Sequence, residues 1–108
     1  MKYLTVVAEH LTSLIMSVAD QIRQKLSASF APEQLIVVDA SARHAGHSGA
    51  RPGGETHFDI RIVSGSFDGV SRVERQRRVY AVLADEMKGQ IHALSLTTLT
   101  PAEAWHEH

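Results

Sequence analysis

Apolar and polar positions divide the chain into a helix, two strands, a second helix, a third strand and a short final helix. Apolar residues recur every three or four positions from 4 to 26, which is the period of a helix with one buried face. This helix should end at Phe30-Ala31-Pro32, because the residue before a proline disfavours helical geometry. Thr12 or Ser13 could cap a shorter version, leaving the first residues as an extension.

Two β-strands with a long connection are predicted next. Residues 35–38 form a short β-branched run typical of a buried strand. Phe58, Ile60 and Ile62 alternate with polar residues, which predicts a half-buried strand. Residues 41–55 between them are rich in Gly, His and Ser, and such a composition predicts a loop. The two strands should therefore pair as a wide antiparallel hairpin.

The second half of the chain carries two helix-start signals. Ser71 with Glu74, and Thr100 with Glu103, fit the pattern of a capping box. The first signal opens a helix reaching to about Gly89, with a predicted inner face of Val73, Tyr80, Leu83, Ala84 and Met87. Residues 91–99 read as a third strand. The second signal opens a short helix that ends near Trp105.

These elements predict an α+β fold: a two-layer sandwich in the order αββαβ(α). A three-stranded mixed sheet would carry two main helices on one face. We expect a helical N-terminal extension over 1–16, one domain over 17–105 and a frayed C-terminus over 106–108. A chain of 108 residues has room for one domain of this kind.

Composition narrows the function classes. The chain has no cysteine and a formal net charge of −1, so disulfides, a thiol nucleophile and a self-sufficient thiolate metal site are excluded. No nucleophile elbow or phosphate loop is present, and Asp85 with Glu86 is interpreted as a solvated helix end. We therefore expect a protein that is not an enzyme. No signal peptide or apolar run of about 18 residues is found, so a cytoplasmic location without membrane contact is expected.

Histidine is the most informative residue type. The chain has seven, and His44 and His47 lie together in the glycine-rich loop, where imidazole could bind a metal or could simply be solvated. His92 shares the predicted strand face of Leu94 and Leu96. It is either a residue at the edge of the core or a ligand at the start of the strand. His57 is predicted on the outer face of its strand.

Several segments, in order, resemble the BolA family. They are Ile22-x-x-Lys25-Leu26-x-Ala28-x-Phe30, Asp39-Ala40-Ser41-Ala42-Arg43-His44, Glu55-Thr56-His57-Phe58, Ile62-Val63-Ser64, Phe67-x-Gly69, Val79-Tyr80, Ile91-His92-Ala93-Leu94 and Thr100-Pro101-Ala102-Glu103. The resemblance covers residues 22–103 and implies a class II KH-like fold. One departure lies in the second helix, where the family's usual Arg-His-Arg is Arg75-Gln76-Arg77.

The resemblance also implies a partner and a cofactor. The partner is a monothiol, CGFS-type glutaredoxin, and the two proteins share a 2Fe–2S cluster that the isolated chain does not hold. The glutaredoxin cysteine and glutathione would supply thiolates, while His92 and a loop histidine would complete the ligands. Counting forward from Ser41 favours His44, and counting back from His57 allows His47. Iron–sulfur trafficking and iron or stress regulation are the implied roles, and the isolated chain is expected to be a monomer or weak homodimer.

The alternative function is that of a DNA-binding transcriptional regulator. Arg72, Arg75, Arg77 and Arg78 cluster at the start of the second helix and could contact phosphates. A helical wheel places Arg75 and Arg78 away from the apolar face and Gln76 beside it. The turn before this helix, Gly65 to Gly69, has a related shape but lacks the Gly-x-x-Gly through which KH domains bind nucleic acid. The arginines could equally form a solvated basic face or dock glutaredoxin or glutathione.

Overall fold

The computed structural model describes residues 16–41 and 56–107. Their order of elements confirms the predicted α+β fold. The helices are α1 (Val18–Phe30), α2 (Arg72–Val82), α3 (Ala84–Gly89) and α4 (Pro101–Trp105). The strands are β1 (Gln34–Asp39), β2 (His57–Val63) and β3 (Ala93–Leu99), and a 3₁₀ turn, Gly65–Phe67, follows β2.

Helix α1 begins one residue after Ser17, whose backbone is extended and whose hydroxyl accepts a hydrogen bond from Asp20 N at 3.1 Å. Ser17 therefore supplies the cap, in place of the predicted Thr12 or Ser13. Those two residues, and the predicted extension up to position 15, lie outside the described residues. The helix ends at Phe30 as predicted, because Ala31 takes a left-handed conformation (φ 42°) just before the proline.

The sheet has the strand order β1-β2-β3 and is mixed, as predicted. Strands β1 and β2 form the expected antiparallel pair, from Gln34 opposite Val63 to Asp39 opposite Phe58. Strands β2 and β3 are parallel, with His57 opposite Ala93. Parallel neighbours need a long crossover, which α2 and α3 provide. This crossover brings the first residues of β2 and β3 to the same end of the sheet.

The hydrophobic core lies between the sheet and helices α1 and α2. Residues spaced by four on α1 and alternate residues on β2 point into it, which is the geometry that each period dictates. These buried residues are Val18, Ile22, Leu26, Phe30, Phe58, Ile60 and Ile62. The opposite face of the sheet carries half-buried His57, Asp59 and Arg61 and exposed Ile36 and Val38. The prediction of two main helices on one face is confirmed.

The predicted second helix is divided in two and buries a different face. Leu83 (φ −97°, ψ 17°) separates α2 from α3. The hydroxyl of Ser71 caps α2 as predicted, accepting from Glu74 N at 3.2 Å. Leu83 is buried and Met87 is partly buried as expected, but the predicted inner positions Val73 and Tyr80 are 60% and 39% exposed. Ala84 is also exposed.

Two charged residues, Arg75 and Glu86, take buried positions on this crossover instead. The interpretation of Glu86 as a solvated helix end was wrong, although neighbouring Asp85 is exposed. Lys25 Nζ on α1 lies 2.8 Å from the Glu86 carboxylate. A buried carboxylate is tolerated when a cation pairs with it, so this contact ties α1 to α3.

Candidate functional site

The first residues of β2 and β3 bring two histidines together. His57 and His92 have ring centroids 6.2 Å apart. Thr56 joins them: its carbonyl accepts hydrogen bonds from His92 N at 2.8 Å and Ala93 N at 3.3 Å. The Oγ1 atom of Thr56 lies 2.8 Å from His57 Nδ1. Thr56 is fully buried, so it holds the ring of His57 and the backbone of His92 in place from inside the fold.

Ser41 extends this hydrogen-bond network to the end of β1. Its Oγ accepts from Thr56 N at 2.9 Å and from His57 N at 3.2 Å, and Thr56 Oγ1 donates to it at 3.3 Å. Ser41 N donates to Asp39 Oδ1 at 2.9 Å. Ser41 is buried, so the chain is anchored beside the two histidines immediately before residues 42–55.

The structure excludes one of the two interpretations of His92. Its side chain is exposed and lies just before β3, whereas Leu94 and Leu96 pack partly buried against the core. His92 is therefore not a core residue, and its role as a ligand at the start of the strand stays a prediction. His44 and His47, the two candidate loop ligands, lie outside the described residues.

His57 was not predicted as a site residue. It is half-buried on the outer face of β2, as the alternation in the sequence indicated. Its closeness to His92 follows from the parallel pairing of β2 with β3, which the hydrophobic pattern does not specify. The sequence did show a histidine at the start of each of the two strands. That observation indicates a shared site only once the parallel register of β2 and β3 is known.

The described part of the chain contains no group of three or more His, Cys, Asp or Glu side chains that could hold a metal ion. A metal or cluster at this site would therefore need further ligands, from residues 42–55, from a partner or from solvent. Among the same described residues no helix is long and apolar enough to cross a membrane.

The candidate phosphate-binding arginines do not form one surface. Arg75 is only 6% exposed, so its predicted outward orientation was wrong, and Gln76 is exposed in its place. Arg75 donates to Val70 O at 2.8 Å, Thr98 O at 3.1 Å and Glu103 Oε1 at 2.6 Å. These acceptors satisfy the guanidinium inside the protein, which makes it unavailable to a phosphate.

The other three arginines are exposed but lie near carboxylates. Arg77 and Arg78 are 3.8 Å and 3.3 Å from Glu74, and Arg72 is 3.7 Å from Glu103. Exposed pairs of this kind contribute little to stability, but they reduce the positive charge that a phosphate would meet.

Glu103 combines the predicted capping box with an ion pair. Its backbone N donates to Thr100 Oγ1 at 3.1 Å, and its carboxylate accepts from Thr100 N at 2.8 Å. The hydrogen bond from Arg75, followed by that from Thr100, lowers the pKa of Glu103 from 4.5 to about 2. Arg75 and Glu103 thus join α2 to the start of α4.

Comparison with known proteins establishes the family. The model of the family described as BolA-like protein matches residues 26–103. The chain belongs to the BolA family. The family resemblance found in the sequence is thereby confirmed over nearly the same residues.

Individual BolA relatives agree with this assignment. SufE-like protein 1, chloroplastic/mitochondrial, of Arabidopsis thaliana is 48% identical over 87 residues, which cover 77% of this chain and 24% of that protein. The DNA-binding transcriptional regulator BolA of Escherichia coli strain K12 is 40% identical over 88 residues, covering 82% and 80% of the two chains. The solved BolA domain of SufE1 from Arabidopsis thaliana has a TM-score of 0.73 and 47% identity, covering 82% of this chain and 98% of that domain.

This BolA-family chain matches only part of several longer relatives. It spans 24% of the SufE-like protein, and 55% and 60% of the plant BOLA1 and human BolA-like 1 proteins. Two of these relatives have chloroplastic or mitochondrial locations in their names. The cytoplasmic location expected from the sequence therefore stays a prediction.

Proposed function

We propose that this chain pairs with a monothiol, CGFS-type glutaredoxin and contributes histidine ligands to a 2Fe–2S cluster that the two proteins share. The observation that carries the proposal is the placement of His92. Its side chain is exposed at the end of the sheet, while its backbone is held by the buried Thr56. A ligand at an interface between two proteins needs both properties, because it must be accessible and already positioned.

The types of ligand available support a cluster that is shared between the two proteins. Iron–sulfur clusters are usually bound by thiolates, and in Rieske centres two histidines replace two of the cysteines. This chain has no cysteine, so it would supply nitrogen ligands only. His92 would be one, and His44, or alternatively His47, would be the other. The glutaredoxin cysteine and glutathione would supply the thiolates.

The described geometry is compatible with a second ligand from residues 42–55. Ser41, the residue before this segment, hydrogen-bonds to the backbone of Thr56 and His57. His44 follows Ser41 by three residues, and three residues span at most about 10 Å. In this role the chain is a binding protein and not an enzyme, and it would serve iron–sulfur trafficking or iron and stress regulation.

Purification with a monothiol glutaredoxin and glutathione is expected to give a coloured heterodimer. His92→Ala should alter its visible absorption and circular dichroism spectra, because one nitrogen ligand of the cluster is lost. The double variant His44→Ala/His47→Ala should do the same. His106→Ala removes an exposed histidine of the C-terminal end and should leave the spectra unchanged. Spectra of His92→Ala identical to those of the wild type would contradict the proposal.

DNA binding is the second candidate function, and the name of the E. coli relative favours it. Exposed Arg72, Arg77 and Arg78 would contact the phosphates. Arg77→Ala should then weaken duplex binding at every sequence and reduce its salt dependence. Fluorescence anisotropy with a labelled duplex measures both effects, and Lys88→Ala on α3 is the control. Absence of binding at low salt would exclude this function.

A further inference from the structure

We infer that His57 and His92 form a two-histidine site for a divalent transition-metal ion, such as Zn²⁺ or Ni²⁺, in the isolated chain. Imidazole is a preferred ligand of these ions. This site requires neither glutaredoxin nor glutathione, and it assigns a role to His57, which the proposed cluster ligation does not use.

The separation of the two rings suits a shared metal ion. Metal–nitrogen distances of about 2.0–2.1 Å to two imidazoles place their ring centroids roughly 5–6 Å apart. The observed separation is 6.2 Å, with the ring planes inclined at 52°. His92 is exposed, so a small rotation of its side chain would close the remaining difference.

Thr56 holds His57 in the manner of an outer-shell partner of a metal ligand. Histidine ligands usually donate their second ring N–H to a neighbouring acceptor, which fixes the tautomer and the ring orientation. Thr56 Oγ1, at 2.8 Å from His57 Nδ1, can accept that proton while donating its own to Ser41 Oγ at 3.3 Å. With Nδ1 protonated, the lone pair that binds a metal is on Nε2.

The backbone positions the second histidine equally well. Thr56 O accepts from His92 N, and His57 is paired with Ala93, so His57 at the start of β2 and His92 just before β3 are adjacent. The strand holds His57 accurately, and the hydrogen bond to Thr56 fixes the backbone of His92. Because the described residues provide no group of three ligands, water would complete the coordination, and we expect binding that is exchangeable.

Calorimetric titration of the full chain with ZnCl₂ or NiCl₂ tests the site. We expect one ion per chain, and an affinity reduced at least about tenfold in both His57→Asn and His92→Asn, since loss of an outer-shell partner alone costs about 10–100-fold. His106→Asn should bind like the wild type. Wild-type affinity in a folded His57→Asn variant would overturn the inference, as would complete loss of binding confined to His44→Asn/His47→Asn.

Thr56→Val provides an independent test of the positioning. Valine keeps the branched shape and the backbone carbonyl but removes the hydroxyl that contacts His57. We expect about a tenfold weaker affinity, with NMR resonances of both His57 and His92 still shifting together when metal is added. Unchanged affinity with separate shifts would contradict the role of Thr56. Since no glutaredoxin is present, these outcomes are independent of the proposed cluster.

Discussion

Phe67→Ala is expected to lower the free energy of unfolding by about 3–5 kcal/mol. Phe67 is fully buried in the turn between β2 and α2. The ring centroid of Phe67 lies 5.2 Å from that of Phe30. The Arg75 guanidinium lies over the Phe67 ring, 5.8 Å from its centroid. Truncation would remove both contacts and leave a cavity that the hydrogen-bonded turn cannot readily fill. Urea denaturation followed by circular dichroism measures the loss.

Two variants provide the controls for Phe67→Ala. Phe67→Leu keeps most of the buried volume and should cost clearly less than the alanine variant. Trp105→Ala removes a larger aromatic side chain that is 76% exposed, and it should change stability by less than about 0.5 kcal/mol. If Phe67→Ala and Trp105→Ala lowered the free energy of unfolding equally, burial of the side chain would not determine the loss of stability.

Arg75→Met is expected to destabilise the fold by about 2–4 kcal/mol at pH 7. Removing one partner of a fully buried ion pair costs about 3–5 kcal/mol, and the lower range applies here because the Glu103 side chain is 34% exposed. The variant also leaves the carbonyls of Val70 and Thr98 without their guanidinium donor. Arg77→Met, at an exposed position on the same helix, should stay within about 0.5 kcal/mol of the wild type.

The pH dependence of this effect follows from the pKa of Glu103, which folding lowers from 4.5 to about 2. A carboxyl whose folded pKa is depressed contributes stability above its unfolded pKa and loses that contribution as the pH falls through the folded value. The wild type should therefore lose stability between about pH 5 and pH 2. In Arg75→Met the largest cause of the shift is absent, so the two stabilities should converge in this range. A difference that stays constant from pH 7 to pH 2 would contradict this account.

The local elements could be predicted from the sequence because their causes are local. The apolar spacing of α1, the Ser71 and Thr100 caps and the alternation of β2 each reflect interactions between residues close in the chain. The end of α1 at Phe30 follows from the proline two residues later. His92 was also found from the sequence, but through the resemblance to the BolA family and not through its own pattern.

The predicted inner face of the second helix failed because apolar residues were assumed to be the buried ones. Arg75 on α2 and Glu86 on α3 are buried instead of Val73 and Tyr80, and their burial is possible only because Glu103 and Lys25 reach them from other elements. Those partners are 28 and 61 residues away in the chain. The spacing of residues within a helix cannot indicate such a contact. The assumption that a charged residue must be exposed also made Arg75 a candidate for phosphate binding.

The sequence by itself determined the order of the main helices and strands, the family and one of the two histidines at the end of the sheet. Only the tertiary structure decided that His57 lies beside His92 and that the buried Thr56 contacts both. The physical reason is that strand register depends on how the crossover helices pack on the sheet. The parallel pairing of β2 and β3 then converts two histidines, 35 positions apart in the chain, into neighbours with ring centroids 6.2 Å apart.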